Sequence, residues 1–450
     1  MKINLKNFSM SEFNPKTLLF PLVLLILISL SYYAPTQSQQ VKVISTYPAT
    51  VCPAIGNKVS SVASLTNSKI HRRLIDGISK TLISGKSAVI SLNNEALLVE
   101  GNAGTALAFA NSGWKSVVPC SVSNGEQWFA GGSGALTSKS FLYIVNSGFS
   151  ESSVELHIYT PSGLLEPKSV VIAQNSTKKI PIDSLVPGED TIVIGVKTLS
   201  GRVSSYLLDE RKKGLKSLGA DFVAPVASAN KRVTIAGISG LTDKLISKNN
   251  SVAHTLRLLI PGTIDANIDV TINSNDGNFI PEGLAQFNIK NQKVLDIPLT
   301  FAPVNQPFSL IIDSDQPILA SVLSEFNFDK SKEIAWATGA DELNKWSVSL
   351  SGSKPVLSFS GHKINVQISA TTINGKKIEQ KITGTDFLVW KAPIGLNRLQ
   401  ITASGNGISG GVIFFPEVGS IGSSYIPMNN GANLETASEP VSDASVISRG

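Results

Sequence analysis

Residues 141–167 read FLYIVNSGFSESSVELHIYTPSGLLEP, and residues 255–281 read TLRLLIPGTIDANIDVTINSNDGNFIP. The two stretches align without a gap, so that Gly148 is aligned with Gly262. Apolar and polar residues alternate in both, as in VELHI and IDVTI, which places one face of a strand on a core and the other in water. A turn with glycine follows each alternating run, as a chain reversal requires. The pattern predicts two copies of one β unit.

The similarity extends beyond these stretches and indicates a series of units. Residues 180–182 match residues 297–299 after a small length change, and a weaker third copy ends near Phe415. Short strands with turns roughly every eight to twelve residues are typical of β-sandwiches, since a single sheet leaves its apolar face uncovered. The predicted fold is all-β: tandem immunoglobulin-like β-sandwich modules behind one N-terminal transmembrane helix. The predicted segments are a cytoplasmic tail 1–16, an anchor or signal segment 17–34, a degenerate β module 41–126, β-sandwich repeats 127–228, 229–330 and 331–427, and a disordered tail 428–450.

A hydrophobic segment near the N-terminus predicts where the protein is located. Residues 17–34, TLLFPLVLLILISLSYYA, contain no charge, and lysines precede them. The positive-inside rule keeps such an N-terminus in the cytoplasm and exports the bulk of the chain. The run is just long enough to span a bilayer, whereas cleavage needs a small-x-small site, which the tyrosine pair before Ala34 disrupts. We favour a single-pass anchor in the cell membrane, and a cleaved, secreted form is the alternative.

The region 41–126 is less regular. Alternation at residues 88–92 predicts a strand, while residues 70–83 come nearest to a helical period and could form a short helix. The only two cysteines of the chain, Cys52 and Cys120, lie in this region. In an oxidising compartment such a pair most often forms a disulfide, and two buried free thiols are the alternative. We interpret this region as a degenerate module that carries the disulfide.

The sequence contains no arrangement typical of a catalytic, metal or cofactor site. Its four histidines are not spaced to share a metal ion; they are His71, His157, His254 and His362. Residues 407–411 match the nucleophile-elbow pattern G-x-S-x-G, but no histidine follows His362 and a strand is expected where the motif requires a helix. We therefore predict a non-enzymatic protein with neither a cofactor nor a metal.

The net charge of +6 is spread thinly along the chain. A nucleic-acid-binding protein concentrates basic residues on one face and interleaves them with aromatic ones. The densest basic cluster here comprises Arg211, Lys212, Lys213 and Lys216. We interpret it as a solvated loop between domains and expect no nucleic-acid partner.

Four tryptophans are the candidate contact residues for a sugar or a protein partner: Trp128, Trp336, Trp346 and Trp390. An exposed indole offers an apolar face on which a sugar ring can stack. In a β-sandwich, however, tryptophans more often lie in the core or plug the space between modules.

Three features together resemble an uncharacterised actinobacterial family of secreted or membrane-anchored proteins, a domain of unknown function with β-sandwich repeats. They are the N-terminal hydrophobic segment, the pair Cys52-Pro53, and Cys120 followed by QWFAGG at residues 127–132. Residues 142–148, LYIVNSG, also fit the LxLxNxG pattern of the family's repeats, whereas the second copy departs from it with Ile-Pro-Gly at residues 260–262. The resemblance implies a location and an architecture, and it transfers no catalytic residue.

These patterns predict a membrane-anchored cell-envelope protein that acts as a structural scaffold or a protein-interaction module. The alternative is a surface protein that binds carbohydrate or peptidoglycan. The expected partners are the membrane, through the single anchor, and cell-envelope proteins or cell-wall glycan. Because modules in a repeat array contact mainly their neighbours, we expect an extended rod.

Overall fold

The computed structural model describes residues 49–55, 60–65, 70–75, 81–83, 88–92, 95–100, 106–110, 114–242, 245–246, 249–329, 331–415 and 422–429. Regular structure in this part of the chain consists of β-strands and one short 3-10 helix at Ile182–Ser184. The all-β prediction is therefore confirmed. The predicted cytoplasmic tail, the anchor segment and the tail after residue 429 lie outside the described residues.

The first strands form two four-stranded antiparallel sheets, which we call group N. They are β1 Ala49–Cys52, β2 Ser60–Leu65, β3 Ile70–Leu74, β4 Thr81–Ile83, β5 Ala88–Leu92, β6 Leu97–Glu100, β7 Ala106–Ala110 and β8 Lys115–Pro119. The strand orders are β1-β6-β3-β4 and β5-β2-β7-β8. The short helix considered for residues 70–83 is wrong, since β3 and β4 form there. Pairing with β6 supplies backbone hydrogen bonds that outweigh a marginal helical pattern.

The next nine strands, group 1, form two sheets around one core. They are β9 Glu126–Phe129, β10 Phe141–Asn146, β11 Ser152–Thr160, β12 Gly163–Leu164, β13 Lys168–Ile172, β14 Ser176–Pro181, β15 Val193–Ser200, β16 Val203–Lys213 and β17 Lys216–Val223. One sheet has the order β14-β10-β16-β17, and the other has the order β12-β11-β15-β9 with β13 also on β11. The alternating residues of both sheets share the core, for example Leu142 and Ile144 with Val154 and Leu156.

Group 2 repeats the same strand pairing. Its strands are β18 Asn230–Ile238, β19 Ser251–Leu259, β20 Ala266–Ser274, β21 Gly277–Phe279, β22 Phe287–Ile289, β23 Leu295–Pro298, β24 Phe308–Asn327 and β25 Lys332–Thr338. The long β24 replaces both β15 and β16, because its first half pairs with β18 and β20 and its second half with β19 and β25. Register agrees with the sequence alignment: Leu142 faces Ile180, and the aligned Leu256 faces Ile297.

Group 3 has the same pairing with longer, merged strands. They are β26 Lys345–Ser353, β27 Val356–Thr372, β28 Lys377–Lys391, β29 Leu396–Ala403, β30 Ser409–Phe414 and β31 Ser424–Pro427. One half of β27 pairs with β30 and the other with β29, as β10 pairs with β16 and β11 with β15. Strand β25, which the sequence analysis placed in the third repeat, pairs instead with β24 of group 2.

The four groups do not follow one another as beads on a string. Strand β8 of group N packs against β17 of group 1 and also against β31 at the end of group 3. Ala106 of β7 lies in the core of group 3. The described residues, from Ala49 to Asn429, thus belong to one compact unit, in which the first and last groups touch. The expectation of an extended rod is wrong, since a linear array leaves its ends apart.

Candidate functional site

The carboxylate of Asp221 lies where all four strand groups meet. Its side chain is fully buried on β17 of group 1. Its Oδ1 accepts hydrogen bonds from the hydroxyls of Ser116 in group N at 2.5 Å and Ser424 in group 3 at 2.8 Å. Its Oδ2 accepts one from the backbone N–H of Trp336 in group 2 at 2.8 Å. We call Asp221 and its contacts the four-group junction.

Trp336 ties a second carboxylate to this junction. Asp209 on β16 stands directly opposite Asp221 on β17 and is equally buried. The indole Nε1 of Trp336 donates to Asp209 Oδ2 at 3.0 Å, while its backbone N–H donates to Asp221. Ser140 donates to the other oxygen of Asp209 at 2.8 Å. One tryptophan of group 2 therefore bridges two acids of group 1 that would otherwise face each other as like charges.

Glu333 of β25 contributes a third buried carboxyl. Its Oε1 accepts hydrogen bonds from the backbone N–H groups of Ala220 and Ile334, each at 3.0 Å. Its Oε2 has no hydrogen-bond partner among the described residues. Gly219 makes this approach possible: its φ is +108°, and a Cβ there would lie 2.5 Å from Glu333 Oε1. The bulge that shifts the β16–β17 register at this point brings the edge of β17 against β25.

Burial keeps Asp221 and Glu333 from ionising readily. It raises the pKa of Asp221 to about 7, although hydrogen bonds to its charged form act in the opposite direction. It raises the pKa of Glu333 to about 9, and the nearby charge of Asp221 adds to the effect. A desolvated carboxyl favours its neutral form because an isolated charge in a low dielectric is costly. Glu333 is therefore protonated at neutral pH, and Asp221 is close to its titration midpoint.

Arg257 of group 2 forms a second polar link to group 1. Its guanidinium is almost fully buried and binds Asp296 through two nitrogens, each at 2.8 Å. Its Nη1 donates to the carbonyls of Gly132 and Ile192 in group 1 at 2.9 and 3.1 Å. The guanidinium also lies 5.1 Å from the ring centroid of Trp336. A planar, five-donor fork suits this combination of carboxylate, carbonyls and ring.

The two cysteines form a disulfide, with 4.5 Å between their Cα atoms and a separation of 68 residues. Both are buried in a cluster that covers the outer face of the β14-β10-β16-β17 sheet, against Tyr143 and Tyr206. The hydroxyl of Tyr206 donates to the carbonyl of Val51, next to Cys52, and accepts from the N–H of Ser121. The disulfide thus fastens group N where it packs on group 1.

The four tryptophans singled out from the sequence are buried. Trp128 packs with Tyr159 between groups 1 and 2, while Trp336 lies in the group 1 core; Trp346 and Trp390 lie in the group 3 core. None of them presents a face to solvent for stacking on a sugar. The junction acids were not predicted from the sequence, because their only local signal is a charged residue within an apolar run, as in GADFV at residues 219–223.

The basic cluster and the G-x-S-x-G segment both lie in regular strands and their turns. The basic cluster is not a loop between domains: it covers the end of β16, its turn and the start of β17. In the G-x-S-x-G segment, Ser409 is buried as the first residue of β30 and pairs with Ser360. A cavity of about 30 Å³ between residues 226–233 and 339–341 would hold one or two water molecules.

The described residues contain neither a metal-binding cluster nor a membrane-spanning helix. No three His, Cys, Asp or Glu side chains among the described residues are placed to hold a metal ion together. Those residues also include no helix that is long and apolar enough to cross a membrane, and the predicted anchor at 17–34 lies outside them.

The sequence from residue 113 to residue 383 matches the model of a family of unknown function, DUF5719. The chain belongs to this family. The match starts next to Trp114 of group N, covers groups 1 and 2, and ends within β28 of group 3. The matched range contains Ser116, Asp221 and Trp336 of the junction, and Ser424 lies beyond it. The predicted resemblance to a domain of unknown function is confirmed.

No curated protein sequence matches this chain. Among solved structures, it is similar to the arabinofuranosyltransferase AftD from Mycobacteria, at 8% identity, 81% of this chain, 40% of that chain and a TM-score of 0.11. It is also similar to a tetra-tandem repeat from the extending region of a large adhesion protein, at 10% identity, 87% of this chain, 97% of that chain and a TM-score of 0.10. Such low scores carry no argument about fold or function.

Proposed function

We propose that this protein is a non-enzymatic scaffold or protein-interaction module of the cell envelope, held by an N-terminal anchor with its β groups outside the cytoplasm. The observation that carries the proposal is the four-group junction. Its polar groups bind one another across strand groups, and Asp209, Asp221 and Glu333 are inaccessible to solvent. A catalytic carboxyl has to reach a substrate, whereas these acids join parts of one framework.

The disulfide supports the location. Disulfides persist in secreted and extracytoplasmic proteins and are rare in the reducing cytoplasm. Cys52 and Cys120 are joined and buried, and Cys52 follows the predicted anchor by fewer than twenty residues. Export of everything after residue 34 would place this bond in an oxidising compartment.

We further propose that groups 1 to 3 are immunoglobulin-like sandwiches. Two central pairs support the relation, since β10 pairs with β14 and β11 with β15, like the B–E and C–F pairs of that fold. The other strands differ, because β9 joins the sheet of β11, and β16 lies between β10 and β17 in the other sheet. A sandwich whose edge strands pack on a neighbouring group suits a rigid framework.

Topology in cells tests the location. The full chain with a C-terminal tag is expressed in a bacterium with an exported disulfide-forming system, and intact spheroplasts are treated with a protease. We expect the tag to be digested without lysis and the chain to remain in the membrane after alkaline extraction. A chain in which a cleavable signal peptide replaces residues 1–34 is the control for the anchor. A protected tag would refute the extracytoplasmic location.

Neutral variants test whether the junction acids are catalytic or structural. Asp221→Asn and Glu333→Gln keep the shape of each side chain and remove its proton chemistry. If the acids only hold the framework, both variants should restore whichever phenotype follows deletion of the gene. Folded variants that fail to restore it, with normal amounts of protein in the membrane, would contradict the non-enzymatic proposal.

A further inference from the structure

Two turns lie at the same end of the β14-β10-β16-β17 sheet. The hairpin between β16 and β17 turns through Gly214 and Leu215, with Lys213 facing Lys216. On the other side of β16, the chain leading into β10 turns through Leu136, where the carbonyl of Thr137 accepts from Lys212 N–H at 2.7 Å. Ser138 pairs with Arg211 just below this turn. We call residues 135–138 and 213–216 together the leucine tip.

Both leucines of the tip project into solvent. Leu136 is 95% exposed and Leu215 is 106% exposed, more than any other large hydrophobic side chain in the described residues. Scattered apolar residues on a surface are ordinary. Here two fully exposed leucines occupy two turns at one end of one sheet, where polar turn residues would have been more soluble.

Lysines surround the apolar tip. Lys213 and Lys216 are exposed on either side of Leu215. The acids near this end already bind other basic groups: Arg211 binds Asp209 and Glu325, Lys212 binds Glu210, and Lys139 binds Asp183. Neither Lys213 nor Lys216 takes part in an ion pair within the described part of the chain. The tip therefore presents two leucines beside two uncompensated positive charges.

We propose that the leucine tip docks on the surface of an anionic phospholipid bilayer. Exposed leucines with flanking lysines match the two components of an interfacial membrane contact, which are apolar burial at the acyl boundary and attraction to anionic head groups. A convex pair of turns offers little area, whereas a specific protein interface buries roughly 1,000 Å² or more. A bilayer does not need a large flat surface, because acyl chains close around each inserted side chain.

The proposal deepens the proposed membrane attachment and rests on it in one respect, since the anchor would bring the tip near a bilayer. The two contacts remain separable. The anchor is apolar and indifferent to lipid charge, whereas the tip requires anionic lipid. Each lysine near an anionic surface strengthens binding about fivefold, and burying each leucine strengthens it at least tenfold.

The test uses the full chain with a probe on the tip. Leu136→Cys introduces a thiol that is labelled with the environment-sensitive dye NBD, since the two native cysteines are joined in a disulfide. The labelled protein is placed in vesicles of phosphatidylglycerol with phosphatidylcholine, or of phosphatidylcholine alone. Emission wavelength and quenching by nitroxide-labelled lipid report whether the dye enters the bilayer. Ile394→Cys, at a 77% exposed position in group 3, is the matched control.

We expect the emission of the dye at position 136 to shift to shorter wavelength, and to be quenched, only in vesicles with phosphatidylglycerol. The emission of the dye at position 394 should remain that of a dye in water. Leu215→Ser should lower the equilibrium constant for insertion of the tip into the bilayer at least tenfold. Lys213→Glu together with Lys216→Glu should lower it about 25-fold or more. An aqueous dye in both lipids overturns the proposal, as does a response that is equal in both lipids or that appears without lipid through self-association. Flotation of the protein with phosphatidylcholine vesicles measures attachment through the anchor. The dye reports separately whether the tip enters the bilayer, whatever the flotation result.

Discussion

Replacing Glu333 by glutamine should change how the stability of the protein depends on pH. Burial raises the pKa of Glu333 from its ordinary value of 4.5 to about 9. Between these values the folded protein holds a proton that the unfolded chain releases. The contribution of Glu333 to stability therefore falls as pH rises, by about 1.4 kcal/mol per pH unit, and is lost once pH passes the folded pKa. Glutamine does not titrate, so the Glu333→Gln variant should gain about 4 kcal/mol relative to wild type between pH 5 and pH 8.

Urea unfolding of the full chain in detergent micelles, followed by tryptophan fluorescence, measures this difference at each pH. Comparing the variant with wild type cancels the titration of every group that the two proteins share. Glu151→Gln removes a carboxylate from an exposed loop and controls for the change in net charge. A stability difference between Glu333→Gln and wild type that stays constant from pH 5 to pH 8 would show that Glu333 titrates alike in both states, and the argument from desolvation at the junction would fail.

Three further substitutions test how the strand groups are held together. Replacing Cys52 and its partner by serine should cost about 4 kcal/mol by chain entropy, measured as a shift in the urea midpoint that reductant reproduces in wild type. Arg257→Met leaves a carboxylate and two carbonyls without their donor and should cost about 3–5 kcal/mol. Arg232→Met, which breaks an exposed pair, should cost no more than about 1 kcal/mol, and equal losses would contradict the role of Arg257 as a buried link between groups 1 and 2. Gly219→Ala should lower the thermal midpoint clearly more than Gly214→Ala, because both have positive φ but only the first meets neighbouring atoms.

The repeat could be predicted from the sequence because the pattern that reveals it lies within single strands. Alternation in VELHI and IDVTI depends on which side of one strand each residue faces, and a gapless alignment transfers that register from one copy to the next. The structure pairs Leu142 and Leu256 with the residues that the alignment made equivalent. Strand β25 lies within the predicted third repeat, yet it pairs with β24 of group 2, because the apolar pattern of one strand does not show which neighbouring strand it will pair with.

The disulfide could also be predicted from the sequence, because two cysteines in a chain that is predicted to be exported allow a single pairing. The sequence did not show whether the tryptophans are exposed or buried, because the residue type is the same in either position. Their burial depends on which groups pack against them: Trp336 is covered by residues of group 1, which precede it by more than one hundred positions.

The all-β class, the repeated strand pattern and the pair of cysteines could be predicted from the amino-acid sequence. Each follows from side-chain periodicity within a few residues, or from composition. The folded chain was needed to show that the groups close on one another, and that Ser116, Trp336 and Ser424 meet at the carboxylate of Asp221. These residues are up to about three hundred positions apart, and no local pattern encodes a contact of that range. Such a contact exists because burying a carboxyl requires donors from every side, and the packing of four strand groups brings them there.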